Sequence, residues 1–226
     1  MNILAIETST KHFSLAIMKN SKIIAQKTLV LKDVLSSTII PTIDGILKKS
    51  KLTLAKLDGF AIGLGPGSFT SLRVGLSTIK AFAMTTKKPV VGVSSLDILA
   101  TNISEKNTFD ICSMIDARRN SVYACVYRPK NKGLKRITKY LLCPVNDLKT
   151  HITTKTIFVG DGLSLYRDEI FQLFKERALF AKPGDWYPHA QQLAKLAYQR
   201  FQNKKFDTIE TLKPLYLYPD HCQVGK

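Results

Sequence analysis

The feature that most constrains the fold is an apolar run followed directly by a glycine-rich turn and a segment of helical periodicity. The run Phe60–Leu64 predicts a buried strand, and the Gly-Pro-Gly sequence at 65–67 predicts a tight turn. Ser68 and Thr70 are both residue types that cap helices, and the apolar spacing after them predicts a helix over 68–85. The chain is therefore predicted to be an α/β protein that contains strand–turn–helix units.

A glycine-rich turn that opens a helix presents backbone N–H groups that suit an anion. Gly65, Gly67 and Ser68 are therefore candidates for holding a phosphate. The spacing differs from a P-loop, which ends in Gly-Lys-Ser/Thr, and from a dinucleotide fingerprint, which needs an acidic residue about 20 positions further on. On local chemistry alone, a tight strand-to-helix connection without a ligand is the safer interpretation.

Two sets of elements follow one another along the chain. The first set is three strands in a meander, then helix, strand, helix, strand and helix, over residues 1–7, 12–18, 21–30, 36–49, 59–64, 68–85, 90–93 and 95–104. The second set is predicted as strands at 111–115, 122–127, 136–142 and 156–159, with helices at 164–174 and 189–201. The predicted division is an N-terminal unit over 1–101, a C-terminal unit over 102–210, and a tail over 211–226 that would dock on the first unit.

Composition indicates a globular protein, since 45% of the 226 residues are hydrophobic. No stretch approaches the 18 apolar residues of a membrane span, and the N-terminus lacks the pattern of a signal peptide, so a cytoplasmic protein without membrane contact is expected. The four cysteines have no metal-type spacing. Cys112 and Cys125 are expected on neighbouring strands as free thiols.

The net charge of +17 favours a polyanionic partner, and RNA is the obvious candidate. Along the sequence, however, the lysines are spread through turns and helix ends, and aromatic residues are not interleaved with them. A solvated basic surface is therefore favoured over a specific RNA site.

The string Gly-Pro-Gly-Ser-Phe-Thr at 65–70, followed by Leu-Arg-Val-Gly at 72–75, resembles the signature of the TsaB (YeaZ) family. Supporting strings are Ile-Leu-Ala-Ile-Glu-Thr-Ser at 3–9, Pro-Val-Val-Gly-Val-Ser-Ser-Leu at 89–96 and Ile-Asp-Ala-Arg at 115–118. The resemblance spans the chain to about residue 217. It implies a duplicated actin-like ATPase (ASKHA) fold, with mixed sheets, helices and a reduced second unit.

In actin-like proteins, paired turns grip nucleotide phosphates from two sides. The resemblance assigns these turns here to Thr8, Ser9 and Thr10 after the first strand and to Asp116 after the first strand of the second unit, together with the glycine-rich turn at 65–68. The alternative is that these are ordinary hairpin turns, which are rich in Ser, Thr and Asp for local reasons.

The catalytic relatives of the TsaD (Kae1) family bind a metal through two histidines, and the matching positions here are Ser95 and Leu99. Leucine cannot coordinate a metal, and one serine hydroxyl is a poor ligand. Glu7 also stands where active relatives carry aspartate. No catalytic residue, no metal and no cofactor of its own are therefore expected, with ATP or ADP placed only at a junction with a partner.

The resemblance implies a dimerisation and scaffold subunit for N6-threonylcarbamoyladenosine formation in tRNA. Its partners would be a TsaD-type transferase, a TsaE-type ATPase and a second copy of itself, and it would meet tRNA indirectly through the complex. Two alternatives stay open: a free-standing actin-fold ATPase and a basic RNA-binding module.

Helices 36–49 and 68–85 are the predicted partner interface, because the second carries more apolar positions than one buried stripe requires. The residues assigned to it are Ile39, Ile43, Phe69, Leu72, Arg73, Leu76, Ile79 and Phe82. Leu35 and Ser71 depart from the family pattern at this interface, where His and Gly are common. Alternatively, the surplus apolar residues contact helix 95–104 of the same chain.

Overall fold

The computed structural model describes residues 1–32, 34–103, 107–131 and 133–218, which form two compact units. Among the described residues, the first unit contains Met1–Ile98 and Pro188–Leu215, and the second contains Leu99–Tyr187 and residues 216–218. The sequence-based division differs, because it placed everything from 102 to 210 in the second unit. Residues 219–226 of the predicted tail lie outside the described residues.

The first unit is a five-stranded sheet with helices on both faces. Its elements are β1 (Asn2–Glu7), β2 (His12–Lys19), β3 (Lys22–Val30), α1 (Leu35–Lys49), β4 (Gly59–Gly63), α2 (Phe69–Thr86), β5 (Val90–Val93) and α3 (Ser95–Ala100), with α5 (Ala190–Gln202) added from the distant C-terminal segment. The strand order is β3-β2-β1-β4-β5, with an antiparallel meander followed by two strands parallel to β1.

Strand alternation sends neighbouring side chains to opposite faces of this sheet. Leu4 and Ile6 lie in the cluster that includes the apolar residues of α1 and α2. Ile3 and Ala5 lie in the cluster that includes the alanines and leucine of α5. The apolar stripe of α5 therefore completes the first unit, and this packing is the physical reason that residues 188–215 belong to it.

The segment after α5 is held along the free edge of β5. Arg200 donates to the carbonyl of Gly92 at 2.9 Å and to the carboxylate of Asp207 at 2.9 Å, and Asp207 accepts from the Gly92 N–H at 2.7 Å. Leu212 is buried in the core on the α1–α2 side, and the Leu215 N–H donates to the Leu64 carbonyl at 2.7 Å. The described start of the predicted tail thus packs on the first unit.

The second unit repeats the strand order of the first in reduced form. Its elements are β6 (Asp110–Arg118), β7 (Ser121–Lys130), β8 (Gly133–Arg136), β9 (Leu141–Pro144), β10 (Thr156–Val159), α4 (Leu163–Phe174) and β11 (Ala178–Phe180). The order β8-β7-β6-β10-β11 matches β3-β2-β1-β4-β5 position by position. A short 3-10 helix, Val145–Thr150, stands where the first unit has α1. The duplicated actin-like α/β architecture agrees with the prediction.

Three local predictions need correction. The single strand predicted at 136–142 is wrong, because two short strands, β8 and β9, pair with successive parts of β7. The helix predicted at 95–104 ends at Ala100, and Ser104 lies outside the described residues. Proline is tolerated in the first turn of a helix, and the sequence therefore predicts Pro41 there, yet α1 begins at Leu35 and places this proline in the second turn.

The two buried cysteines do lie on neighbouring strands, as expected, but they point to opposite faces. Cys112 is opposite Val126 in the β6–β7 register, whereas Cys125 is opposite Ser113. Directly opposed residues share a face, so the two thiols are separated by the sheet itself. Within the residues that the structure describes, no helix has the length and apolarity required to cross a membrane.

Candidate functional site

The glycine-rich turn after β4 packs directly onto the turn after β1. The Ser68 N–H donates to the Ser9 carbonyl at 2.7 Å. A Cβ placed on Gly67 would lie 2.1 Å from that same carbonyl oxygen, which no side chain could accept. On α2, a Cβ on Gly75 would lie 2.5 Å from Thr8 Oγ1. The two glycines are thus explained by close contact between these turns.

Glu7 closes the space where these turns meet. It is completely buried, its Oε1 accepts from the Ser9 N–H at 2.6 Å, and its Oε2 accepts from the Ser95 hydroxyl at 2.9 Å. Ser95 Oγ in turn accepts from the Gly65 N–H at 3.1 Å. These hydrogen bonds link the segments that follow β1, β4 and β5, so the buried Glu7 carboxylate stabilises the packing of the three loops.

Two buried hydroxyls lie beside this network without a hydrogen-bond partner among the described residues. They are Thr8 Oγ1 and Ser9 Oγ, and both side chains are almost fully buried. Thr10 is buried as well, and no side chain caps α2 at Ser68. The first turn of a helix has N–H groups that its own hydrogen bonding does not use. The predicted phosphate-binding residues of the first unit are therefore brought together, although in a tightly packed arrangement.

Burial raises the pKa of Glu7 above its ordinary value of 4.5, against the opposing effect of the hydrogen bonds from Ser9 and Ser95. Between the unfolded and folded pKa values, the folded state binds more protons than the unfolded state, so stability falls as pH rises. We expect Glu7→Gln to remove this loss, so that the variant gains in free energy of unfolding relative to wild type from pH 4.5 toward neutral pH. Urea unfolding across this range measures the difference.

Asp110 provides the control of opposite sign. Hydrogen bonds from Arg128, at 2.9 and 2.8 Å, hold the pKa of this carboxyl below its ordinary value of 3.8. Its stabilising contribution is therefore present above pH 3.8 and lost as pH falls through the folded pKa, and Asp110→Asn removes it. If the free energy of unfolding of Glu7→Gln changed with pH in the same way as that of wild type, Glu7 could not be a buried carboxyl with a raised pKa.

Asp116 lies in the second unit, at the turn equivalent to that of Thr8–Thr10. Its Oδ1 accepts from the Arg118 N–H at 2.8 Å, and its own N–H donates to Asp161 at 3.1 Å. Arg118, Arg119 and Asn120 all have left-handed backbone conformations, with φ of 61°, 50° and 54°. The local structure is thus an ordered hairpin turn, and the Asp116 carboxylate accepts a hydrogen bond from the backbone N–H of Arg118.

The two positions that match metal-binding histidines of the TsaD family are both fully buried. Ser95 is hydrogen-bonded to Glu7 and to the Gly65 N–H. Leu99 lies in the core, where its side chain packs close to Gly160. Across the described ranges, no three His, Cys, Asp or Glu side chains are close enough together to hold a metal ion. The absence of a resident metal stays a prediction, which elemental analysis of the purified protein can test.

Most residues assigned to the partner interface are in the core of their own unit. Five of them are at most 7% exposed, so they cannot face a partner: Ile39, Ile43, Leu72, Leu76 and Ile79. Phe82 is half-buried, and its ring is 6.1 Å from that of Phe60. Phe69 and Arg73 are exposed, with the guanidinium 3.8 Å from the ring centroid. The apolar stripe identified the inward side of the helices.

The outward side of α1 and α2 carries a different set of residues, which we call the pairing face. It includes Ile40, Pro41 and Gly45 on α1, beside the exposed ion pair of Asp44 and Lys48, and Phe69, Arg73, Ser77, Ala81 and Met84 on α2. Ile40 is 49% exposed and Met84 is 67% exposed. The signal that could have found this face is the scarcity of charge, since α2 has only two charged residues in 18, Arg73 and Lys80.

Comparison with known proteins adds independent information. Residues 28–222 match the family model described as TsaD, tRNA N6-adenosine threonylcarbamoyltransferase. The tRNA threonylcarbamoyladenosine biosynthesis protein TsaB of Escherichia coli K12 is 30% identical over 96% of this chain and 94% of its own length. The protein of the same name from Bacillus subtilis 168 is 28% identical over the same shares of both chains.

Solved structures show the same fold. YeaZ from Pseudomonas aeruginosa superposes with a TM-score of 0.82 at 23% identity, covering 96% of this chain and 99% of that one. An activator of 2-hydroxyisocaproyl-CoA dehydratase from Clostridium difficile, solved with bound ADPNP, gives a TM-score of 0.51 at 10% identity, covering 96% and 100%. These similarities in shape agree with the actin-like architecture described above.

Proposed function

Because this chain belongs to the TsaB family of tRNA threonylcarbamoyladenosine biosynthesis proteins, we propose that it acts there as a non-catalytic pairing subunit. Family membership means that the chain takes part in tRNA threonylcarbamoyladenosine biosynthesis. The proposal adds that the pairing face binds a TsaD-type transferase or a second copy of the chain, and that a TsaE-type ATPase joins the assembly. The observation that carries the proposal is the exposed apolar character of the pairing face.

The pairing face has the properties of a helix-bundle interface. Large apolar side chains, Ile40 and Met84, stand beside small residues such as Gly45 and Ala81. Small residues let two helix backbones approach, and the apolar side chains gain stability when water is excluded from them. In a chain with 23% charged residues, α2 has only two charged residues in 18 although one side of it is exposed, and assembly explains this exception.

The interior of the turn region supports a non-catalytic role. Glu7 is directed into the protein and bound to Ser9 and Ser95, so it has no access to a hydrated magnesium ion. The unpartnered hydroxyls of Thr8 and Ser9 favour an anion over a reaction, because phosphate binding requires donors whereas hydrolysis also requires a metal and a positioned water. We include in the proposal that ATP or ADP binds here only when a partner completes the site.

A charge on the pairing face is expected to break assembly. Ile40→Glu and Ala81→Glu each place a carboxylate where a partner would remove water, and an unpaired buried charge costs about 3–5 kcal/mol, or roughly a 100-fold or greater loss of affinity. Sedimentation of each variant, alone and mixed with the TsaD-type protein of the same genome, measures the loss. Both positions are exposed in the single chain, so each variant should remain folded.

The matched control is Leu165→Glu on α4 of the second unit. Leu165 is 66% exposed and receives the same new charge away from the pairing face. Leu165→Glu should sediment as wild type does, both alone and mixed with the TsaD-type protein. Complexes of native size formed equally well by Ile40→Glu, Ala81→Glu and Leu165→Glu would rule out the pairing face as the interface.

A further inference from the structure

Most of the lysines of the first unit lie at one end of its strands, which we call the lysine edge. It is the edge at which β1, β4 and β5 begin and β2 turns into β3, with Lys19 opposite both Asn2 and Lys22. Each of the helices α1, α2 and α5 ends there, because α1 leads to the start of β4, α2 leads to the start of β5, and the Phe201 ring contacts Gly59. The lysines of this edge are Lys19, Lys22, Lys48, Lys49, Lys51, Lys56, Lys87, Lys88, Lys204 and Lys205.

This lysine edge carries almost no compensating charge. Asp58 is the acidic residue at the strand starts, and its carboxylate accepts from the Asn2 N–H at 2.6 Å and lies 3.8 Å from the N-terminal ammonium. Lys48 pairs with Asp44 one turn earlier on α1. In the part of the chain that the structure describes, the other nine lysines make no ion pair, and all ten are exposed except the half-buried Lys88.

The ends of the helices do not account for so many cations. Lysine is favoured near a helix C-terminus because the helix dipole places about half a negative charge there. Three helices therefore supply roughly −1.5 charges at this edge. Ten lysines exceed this several-fold, so the positive charge that remains is directed to the solvent.

We propose that the lysine edge binds the phosphodiester backbone of tRNA directly. The inference rests on the proposed function only in taking tRNA as the substrate of the assembly. Lysine ammonium groups are point charges that contact phosphates without reading base edges. Binding should therefore depend strongly on salt and little on anticodon sequence. The sequence alone indicated dispersed lysines, and the fold brings them to one edge.

The test is a variant with four lysines of the edge replaced, Lys87→Asn, Lys88→Gln, Lys204→Asn and Lys205→Gln. Asn is used at 87 and 204 because both residues have positive φ, 54° and 53°, which Asn tolerates. Fluorescence anisotropy with a labelled, unmodified tRNA transcript measures affinity from about 50 to 200 mM salt. We expect the full-length variant to bind at least tenfold more weakly, with the slope of log affinity against log salt reduced by about 3.

A second variant removes the same charge from the same unit outside the edge: Lys27→Gln, Lys32→Gln, Lys195→Gln and Lys213→Gln, all at exposed positions. Less than a threefold loss supports the proposal. Equal losses in both variants would show a net-charge effect and overturn it, as would wild-type protein that does not bind tRNA. If the variant of the lysine edge lost binding to phosphatidylserine vesicles but still bound tRNA as wild type does, the ligand of the edge would be a membrane surface and not tRNA. Both variants should still sediment with the TsaD-type partner, so failure here is distinguishable from failure of the pairing face.

Discussion

Gly67→Ala is expected to destabilise the first unit by about 3 kcal/mol or more, the upper end of what overpacking costs. The added Cβ would lie 2.1 Å from the Ser9 carbonyl oxygen, which is backbone and cannot rotate away. The same carbonyl accepts the Ser68 N–H, so any movement that relieves the clash also breaks this hydrogen bond. For a protein of this size the loss corresponds to a melting temperature lower by roughly 6–12 °C, measurable by circular dichroism.

Gly45→Ala is the matched control, since nothing lies within 4 Å of the position that its Cβ would occupy. Gly45 is in the interior of α1 and exposed, so alanine should stabilise the helix by about 0.5–1 kcal/mol. Opposite signs for two identical substitutions would confirm that contact between the turns fixes Gly67. Equal melting temperatures for Gly67→Ala and wild type would mean that the two turns separate in solution.

The order of strands and helices could be predicted because it depends on local patterns. The alternation in β2 and the helical spacing in α2 are both set by which residues face a core. The place of α5 could not be predicted, because its stripe of Leu193, Ala194 and Ala197 fits any apolar sheet face. Only the three-dimensional packing shows that it covers the first sheet, across about 90 residues of the second unit.

Part of the candidate site could likewise be predicted from local sequence patterns, whereas the part that depends on long-range packing could not. The glycine-rich turn and Thr8–Thr10 were predicted as phosphate-binding turns, Thr8–Thr10 through the family resemblance, and the structure brings the two turns into contact. The role of Glu7 could not be seen, since burial and its hydrogen bond to Ser95 depend on residues 88 positions apart. Five of the predicted interface residues instead pack in the core of their own unit, because periodicity identifies an apolar stripe without saying what covers it.

Omitting this chain from a reconstituted mixture of TsaD-type protein, TsaE-type protein, threonylcarbamoyl adenylate and tRNA is expected to abolish N6-threonylcarbamoyladenosine formation. The purified chain alone should form none, because serine and leucine occupy the positions that match the metal ligands of the transferase family. Mass spectrometry of digested tRNA measures the product. Modification that proceeds equally well without the chain would refute its role as a required subunit.

Three variants separate a pairing role from a chemical one in the same mixture. Ala81→Glu should fail to restore product because it fails to assemble, whereas Leu165→Glu should restore it fully. Glu7→Gln keeps the size and the acceptor oxygen of the buried side chain but removes the carboxylate that Ser9 and Ser95 bind. If the chain contributes no chemistry, Glu7→Gln should pair normally and support the wild-type rate. Normal pairing with a rate lowered 100-fold or more would instead make Glu7 a catalytic residue, since losses of that order accompany removal of a general acid or base.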